Sequence, residues 1–312
     1  MAADKRPLAI ALMGPTASGK TALAIEWAKR LHTEIISVDS ALVYRGMDIG
    51  SAKPDFEEQS GIPHHLIDIR EPWQTYSAAD FAKDALPLMT QLSGQNKIPL
   101  LVGGTGLYFR ALLDGLSDMP AADEEIRAEI QTEADAVGWP AMHEKLKQID
   151  AAAGVRIKPN DVQRITRALE VFRQTGKPIT EWQQANERSK FPFRVLRVCI
   201  APKERAVLHE RIARRFDRML EQGFLAEMQS LMANPSLHAD LPSMRAVGYR
   251  QAWRHLAGDT TAEQFREEAI AATRQLAKRQ LTWFRGELDL RWFDPQIVSK
   301  ELESALSLFI TR

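Results

Sequence analysis

The first hundred residues alternate between short, wholly apolar runs and longer amphipathic ones. "LAIALM" (residues 8–13) is apolar throughout, as a strand buried on both faces must be, whereas "KTALAIEWAKRL" repeats its apolar residues at helical spacing. "EIISV" predicts a second buried strand, "AADFAKDALPLMTQL" a helix bent at Pro87, and "KIPLLV" a third strand. Strand and helix in alternation imply parallel βαβ units with helices on both faces of one sheet. After Gly115 the pattern changes. Residues 119–190 carry no strand pattern, and "AADEEIRAEIQTEADAV" and "PNDVQRITRALEVFRQTG" predict helices. "RVLRVCIAP" restores a strand, helical segments follow to Arg285, and "LDLRWFDP" precedes a short tail helix. The expected organisation is a core over residues 1–118, an inserted helical domain over 119–193, and the core again over 194–312 with long C-terminal helices.

Between the first strand and the first helix stands "GPTASGKT", which matches GxxxxGK[ST] in the strand–loop–helix context that the motif requires. The fold expected is therefore α/β: a P-loop-type parallel sheet flanked by helices, with an inserted all-helical domain. In such a loop backbone N–H groups curl around phosphate oxygens and the helix N-terminus adds positive potential. Lys20 supplies a point charge on the phosphates and Thr21 a hydroxyl for Mg²⁺.

Asp39 ends the second strand and so faces the crevice where parallel sheets bind ligands. Three readings stay open for it: a water-mediated Mg²⁺ ligand, a base that takes a proton from an acceptor, or a strand-end carboxylate. The third strand runs into "GGTGLY", which puts Thr105 on a tight turn into a helix, where its hydroxyl can approach a ligand. In "ERAVLHERIARRFDRMLEQG" the apolar stripe is Leu208, Ile212, Phe216 and Met219; a helical wheel places Arg215 inside it and Arg211 at its edge. An inward guanidinium needs a carboxylate or phosphate to offset its desolvation, so Arg215 is a candidate anion ligand.

Charge and composition narrow the class. Basic and acidic residues balance at 41 each, so attraction to a polyanion must come from local clusters. Such clusters exist. The helix "NDVQRITRALEVFRQTGK" turns Val162, Ile165, Leu169 and Phe172 to one side and Gln163, Arg164 and Arg167 to the other. "SMRAVGYRQAW" and "AKRQLTWFRGE" interleave cations with aromatics, the mixture that grips phosphates and stacks unpaired bases, or that packs a core beside surface cations. The lone Cys199 excludes an internal disulfide and reads as a buried small hydrophobe. His64 and His65 follow a proline without a clear third ligand and read as structural. The apolar run after "MAADKRP" is too short for a secretory signal or a membrane span, so a cytoplasmic location without membrane association is expected. No long coiled-coil pattern or apolar docking face is evident, which favours a monomer.

Together "GPTASGKT", "IISVDSALVYRGMDIGSAKP", "HHLIDI", "LVGGTGLYFRALLDGL", "NDVQRITRALEVFRQTGKP", "RAVGYRQ" and "KRQLTWFR" cover almost the whole chain, and it resembles the bacterial tRNA dimethylallyltransferase family. The resemblance implies that Gly14, Pro15, Thr16, Ala17, Ser18, Gly19, Lys20 and Thr21, with Arg215, hold the diphosphate of dimethylallyl diphosphate, with Mg²⁺ on Thr21. The acceptor it implies is the adenosine 3′-adjacent to the anticodon, presented by the tRNA anticodon stem-loop and turned out into a channel between core and insert. Asp39 then matches the family's general base, Thr105 its contact to the acceptor nucleotide, and Lys20 and Arg215 the stabilisers of the leaving pyrophosphate. RNA contacts carried over by matching motif are Asp39, Ser40, Ala41, Leu42, Thr105 and Arg127; Gln163, Arg164, Ile165, Thr166 and Arg167; Arg245, Ala246, Val247, Gly248, Tyr249 and Arg250; and Lys278, Arg279, Gln280, Leu281, Thr282, Trp283, Phe284 and Arg285. A free-adenylate prenyltransferase, a small-molecule kinase using ATP and a non-catalytic RNA-binding module are the alternatives. The large helical insert favours a macromolecular acceptor over the first two, and the convergence of Asp39 and Arg215 on a phosphate loop argues against the third.

Overall fold

The computed structural model describes residues 4–115, 119–184, 191–295 and 300–311. The chain forms two compact units, one of Met1–Leu113 with Phe191–Arg312, the other of Asp114–Lys190. The expected division after residue 118 lies outside the described residues. The first unit resumes ahead of the strand pattern that begins at Arg194, because Phe193 is buried in its core and Phe191 packs against that core.

The first unit contains β1 (Leu8–Met13), α1 (Lys20–Arg30), β2 (Ile35–Val38), α2 (Phe56–Gln59), β3 (His64–His65), α3 (Ala78–Gly94), β4 (Leu100–Gly103) and α4 (Gly106–Leu113). The second unit contributes α5 (Glu124–Val137), α6 (Trp139–Ile149), α7 (Ala151–Arg156), α8 (Val162–Thr175) and α9 (Ile179–Gln184). The first then continues with β5 (Arg194–Ile200), α10 (Arg205–Glu221), α11 (Phe224–Met232), α12 (Tyr249–Leu256), α13 (Ala262–Arg285), β6 (Arg291–Phe293) and α14 (Lys300–Ile310).

The strands form one parallel sheet in the order β3-β2-β4-β1-β5-β6. β1 lies centrally, and its alternating side chains serve two cores: Ala9, Ala11 and Met13 face one, Ile10 and Leu12 the other. Each fully buried Ile or Leu side chain contributes about 1.5–3 kcal/mol, which is why this strand must be apolar at every position. Cys199 is buried in the same core as Met13, and burial pushes its thiol up to about 12. α3 runs through Pro87 and starts at Ser77, whose hydroxyl caps Asp80 N in a capping box.

The chain moves from β1 outward to β2, returns to β4, and crosses to the other side of β1 for β5. Where a sheet reverses direction in this way, the loops at the carboxyl ends of adjacent strands part and leave a crevice. The loop after β1 with the first turn of α1 carries residues 14–21, and the loops after β2 and β4 carry Asp39 and Thr105, so the topology collects them there. β3, only two residues long, extends the edge by pairing His64 and His65 with Ile35 and Ile36. No helix among the described residues is long and apolar enough to cross a membrane.

The second unit packs its helices around a separate core that includes Ile130, Met142, Leu146, Ile165, Leu169 and Ile179. Asp123, Asp150 and Asp161 cap α5, α7 and α8, and Gly176 ends α8 in the left-handed conformation at φ 68°.

Candidate active site

The phosphate loop is shaped by close packing. A Cβ on Gly14 would stand 2.4 Å from the Ile200 carbonyl oxygen, so only glycine lets the loop leave β1 beside β5. Gly19, at φ 93°, turns the chain directly into α1 with no side-chain cap, which leaves the first N–H groups of that helix free to meet an anion. The Ser18 hydroxyl on the same turn is buried without a hydrogen-bond partner among the described residues. From α10, Arg211 Nη1 donates to the Ser18 carbonyl at 3.2 Å and braces the loop from outside.

Lys20 Nζ donates to the Pro15 carbonyl at 3.2 Å. Burial pushes the Lys20 ammonium down to about 8; Asp39 opposes that shift and Arg215 reinforces it. Arg215 lies on α10 between Ile212 and Phe216, half-buried, and among the described residues its guanidinium makes no hydrogen bond or ion pair. Burial lowers its pKa too, with Asp39 the principal charge that holds it up. Two partly desolvated cations around one carboxylate leave the site short of negative charge, the condition that a bound diphosphate relieves.

Asp39 follows β2 and is fixed by a hydrogen bond from Ala41 N to its Oδ1 at 2.9 Å. Thr105 N donates to the Val38 carbonyl at 3.2 Å, and Thr105 Oγ1 accepts from Ser40 N at 3.1 Å. The two residues are thereby tied to adjacent positions of one backbone.

Thr16, Lys20, Thr21, Asp39, Thr105 and Arg215 all line a single cavity of about 470 Å³. Ile35, Tyr44, Val102, Ile212, Phe216 and Met219 give part of its wall an apolar surface. A ligand with a strongly anionic head and a short hydrocarbon tail suits such a mixture. Thr21 and Asp39 offer hard oxygen donors of the kind Mg²⁺ takes. No group of three or more His, Cys, Asp or Glu side chains able to hold a metal occurs among the described residues, so phosphate oxygens and water must supply the rest of such an ion's shell.

Ser40, Ala41, Leu42, Arg245, Ala246, Val247, Gly248, Tyr249, Arg279 and Gln280 line the same cavity. Lys278, Leu281, Thr282 and Arg285 instead line a second cavity, with Lys203, Arg205, His209, Arg274 and Trp292. Arg250 is exposed. Of the two readings open for these aromatics, Tyr249 and Phe284 fit core packing, since both are fully buried, and Trp283, half-buried, packs against that core beside Gly106. Tyr249 also donates through its hydroxyl to Glu227 Oε1 at 2.7 Å.

In the second unit Gln163 and Arg164 are exposed, whereas Ile165 is fully buried and presents no side chain to RNA. Thr166 is half-buried. The inner stripe of α8 is Ile165, Ala168, Leu169 and Val171; Val162, expected inside, is 39% exposed because it opens the helix. Arg127 and Arg167 converge on Glu170, a carboxylate with no exposed surface, through bonds of 2.9 Å from Arg127 Nε and 2.8 Å from Arg167 Nη1. Burial pushes the Glu170 carboxyl up, but hydrogen bonds from Arg167, Asp123 N and Arg127 outweigh it and hold the group below the usual carboxylate range. His65 Nε2 meets Glu34 Oε2 at 2.6 Å and His64 Nδ1 the Ile62 carbonyl at 2.8 Å, which gives both rings structural partners.

Sequence reasoning missed the brace at Arg211, although its position one turn before Arg215 on the same face was a usable signal. It also missed Lys203, Arg205 and Arg274, which line the second cavity beside the expected Lys278 and Arg285.

The IPP transferase family model matches residues 42–287. A tRNA dimethylallyltransferase from Stenotrophomonas maltophilia (strain R551-3) is 59% identical over 317 residues, covering 100% of both chains. Among solved structures, the full-length tRNA isopentenylpyrophosphate transferase of Bacillus halodurans superposes with a TM-score of 0.70 at 39% identity, covering 98% of this chain and 95% of its own. A eukaryotic dimethylallyltransferase acting on tRNA shares the fold at a TM-score of 0.82 and 24% identity, over 98% of this chain and 80% of its own. With its cavity at the carboxyl ends of the strands and this likeness along its full length, the chain belongs to the IPP transferase family.

Proposed function

We propose that the protein transfers a dimethylallyl group from dimethylallyl diphosphate to the exocyclic N6 amine of the tRNA adenosine 3′-adjacent to the anticodon, releasing pyrophosphate. The observation that carries this reading is one cavity holding a phosphate loop, an Arg215 with no hydrogen-bond or ion-pair partner among the described residues, the Asp39 carboxylate and apolar side chains. A kinase needs the first of these features but has no use for a hydrocarbon pocket beside the phosphates.

In this reading the diphosphate rests on the N–H groups of Ala17, Gly19, Lys20 and Thr21, at the end of the loop and the start of α1, and on the charges of Lys20 and Arg215. Thr21 is the protein hydroxyl that would hold Mg²⁺, whose chemistry when bound is to neutralise charge on the diphosphate. The N6 amine is a weak nucleophile because its lone pair is delocalised into the ring. As the N6–C1 bond forms, Asp39 accepts the amine proton, the C1–O bond breaks and its electron pair leaves with pyrophosphate. Lys20 and Arg215 stabilise that growing charge, which is where preorganised electrostatics lower a barrier most. Thr105, tied to Ser40, orients the acceptor beside Asp39. Arg245, Arg250, Lys278 and Arg285 in the first unit, and Arg164 in the second, supply phosphate contacts that position RNA.

The test is transfer of label from dimethylallyl diphosphate to an anticodon stem-loop with Mg²⁺ and no ATP, with Asp39→Ala beside the native protein. Label on the target adenosine that falls by orders of magnitude in the variant is expected. Label on AMP and not on the stem-loop assigns a free nucleotide as acceptor, and consumption of ATP without prenyl transfer returns the kinase reading.

A further inference from the structure

The two loops that the reaction must hold in line are joined by one side chain of α13. Gln280 Oε1 accepts from Thr16 N in the phosphate loop at 2.9 Å, and Gln280 Nε2 donates to the Gly104 carbonyl, beside Thr105, at 3.0 Å. The residue reaches both loops across 264 and 176 positions of sequence, and it lines the cavity.

The loops are built to receive it. A Cβ on Gly104 would lie 2.4 Å from Gln280 Nε2, and one on Gly106 would lie 2.2 Å from the ring of Trp283, so both glycines admit α13 at close range. Below this point β1 and β4 are already paired up to Met13 and Gly103, and Gly14 N donates to the Gly103 carbonyl at 3.2 Å. Beyond that bond no backbone hydrogen bond joins the two loops among the described residues. Gln280 links them through two hydrogen bonds above the edge of the sheet, and a neutral carboxamide is the group that can accept on one side and donate on the other without adding charge near an anion.

We propose that Gln280 is a positioning residue for the transfer: it clamps the loop that grips the leaving diphosphate to the loop that carries Thr105. This rests on the reading proposed above. In-line displacement needs the attacking amine and the allylic carbon about 3–3.5 Å apart with aligned orbitals, and small misplacements cost about a hundredfold in rate. A clamp between donor loop and acceptor loop acts on that separation and leaves each binding site intact. Its loss therefore lowers turnover more than it weakens either substrate.

The test compares native protein with Gln280→Met, which keeps the bulk and removes both bonds, and Gln280→Glu, which keeps an acceptor for Thr16 N but loses the donor to Gly104 and adds negative charge. Turnover and both KM values are measured with dimethylallyl diphosphate and the stem-loop, and melting temperature reports folding. For Gln280→Met, kcat is expected to fall at least about tenfold with both KM values within about threefold. Gln280→Glu is expected to lose turnover and also raise KM for the diphosphate. A higher KM for the stem-loop at unchanged kcat makes Gln280 a direct RNA contact and overturns the proposal, as do unchanged kinetics in both variants. Native protein that labels no stem-loop removes the underlying reading first, an outcome distinct from an active native protein whose variants are equally active.

Discussion

One oxygen of Asp39 is fixed by the Ala41 N–H, and the rest of the carboxylate faces the cavity that Lys20 and Arg215 also line. A group placed to take a proton contributes about 10²–10⁴-fold to rate, so Asp39→Asn, which keeps the shape and loses the basicity, is expected to lower kcat by that range while stem-loop affinity holds. A loss confined to KM would make Asp39 a binding residue. Arg215 acts on the other end of the bond. Among the described residues it has no hydrogen-bond or ion-pair partner, so in the proposed reading its charge serves the ligand, and Arg215→Gln is expected to cost about 10²–10³-fold in kcat. Lys20 gives the site a pH dependence. Its pKa, brought down to about 8 chiefly by burial, means the free protein loses this cation as pH rises through 8. A phosphoryl ester takes its last ionisation at about pH 6, so the ligand's own charge is constant across that window. Affinity for an unreactive alkyl diphosphate is therefore expected to weaken above pH 8, with proton uptake on binding visible by calorimetry in two buffers, and Lys20→Gln is expected to flatten the profile. Constant affinity up to pH 9.5 in the native protein would rule Lys20 out as the titrating contact.

At the scale of elements, α8 shows what a helix in the second unit gives up to place cations on its surface. Glu170 occupies a buried position of α8 yet is charged, because Arg127 from α5, Arg167 from its own helix and the Asp123 N–H surround it. Its carboxyl titrates below the usual range. That interaction is thus present above the unfolded-state pKa and lost as pH falls through the lower folded value. Glu170→Gln is expected to destabilise the second unit at neutral pH by about 2 kcal/mol, discounted from a fully buried pair because Arg127 is 45% exposed, and to narrow the difference from native protein in acid. Equal melting curves at pH 7 would show the network to be energetically idle. The same element shows what was legible. The stripe through Ile165 and Leu169 was readable from helical period, but Val162 was misplaced because period says nothing of where a helix projects past its neighbours. β1, α1 and the phosphate loop were legible because one strand period, one helix period and one motif fall in succession. β3 was not, since two histidines carry no alternation and pair only because Ile35 and Ile36 lie opposite them. Arg215 could be found as a charge inside an apolar stripe. The link at Gln280 could not, because a neutral residue on a polar helix face gives no sign of two backbone partners so far away in sequence.

For the whole molecule, formal charge is balanced, so attraction to RNA depends on where cations gather and not on their number. α13 lines two cavities. Gln280 and Arg279 line the cavity of Asp39, and Lys278, Thr282 and Arg285 line the second cavity, where Lys203, Arg205 and Arg274 add exposed positive charge. His209 lies among them, and burial together with the charges of Arg274 and Arg205 lowers its pKa, so it adds no cation at neutral pH. A cationic surface of this kind binds by releasing counterions from the RNA backbone, and each phosphate contact to a single strand contributes about 0.7 to the slope of log affinity against log salt. Removing two such contacts with Lys278→Ala and Arg285→Ala together is expected to weaken stem-loop binding at low salt and to make the slope shallower by about 1.5. Asp39→Ala lies outside that cationic surface and is expected to leave the slope unchanged. If the double variant kept the native slope while losing affinity, α13 would act through shape or base contacts, and the phosphate contacts would have to come from other cations, with Arg245, Arg250 and Arg164 the exposed candidates.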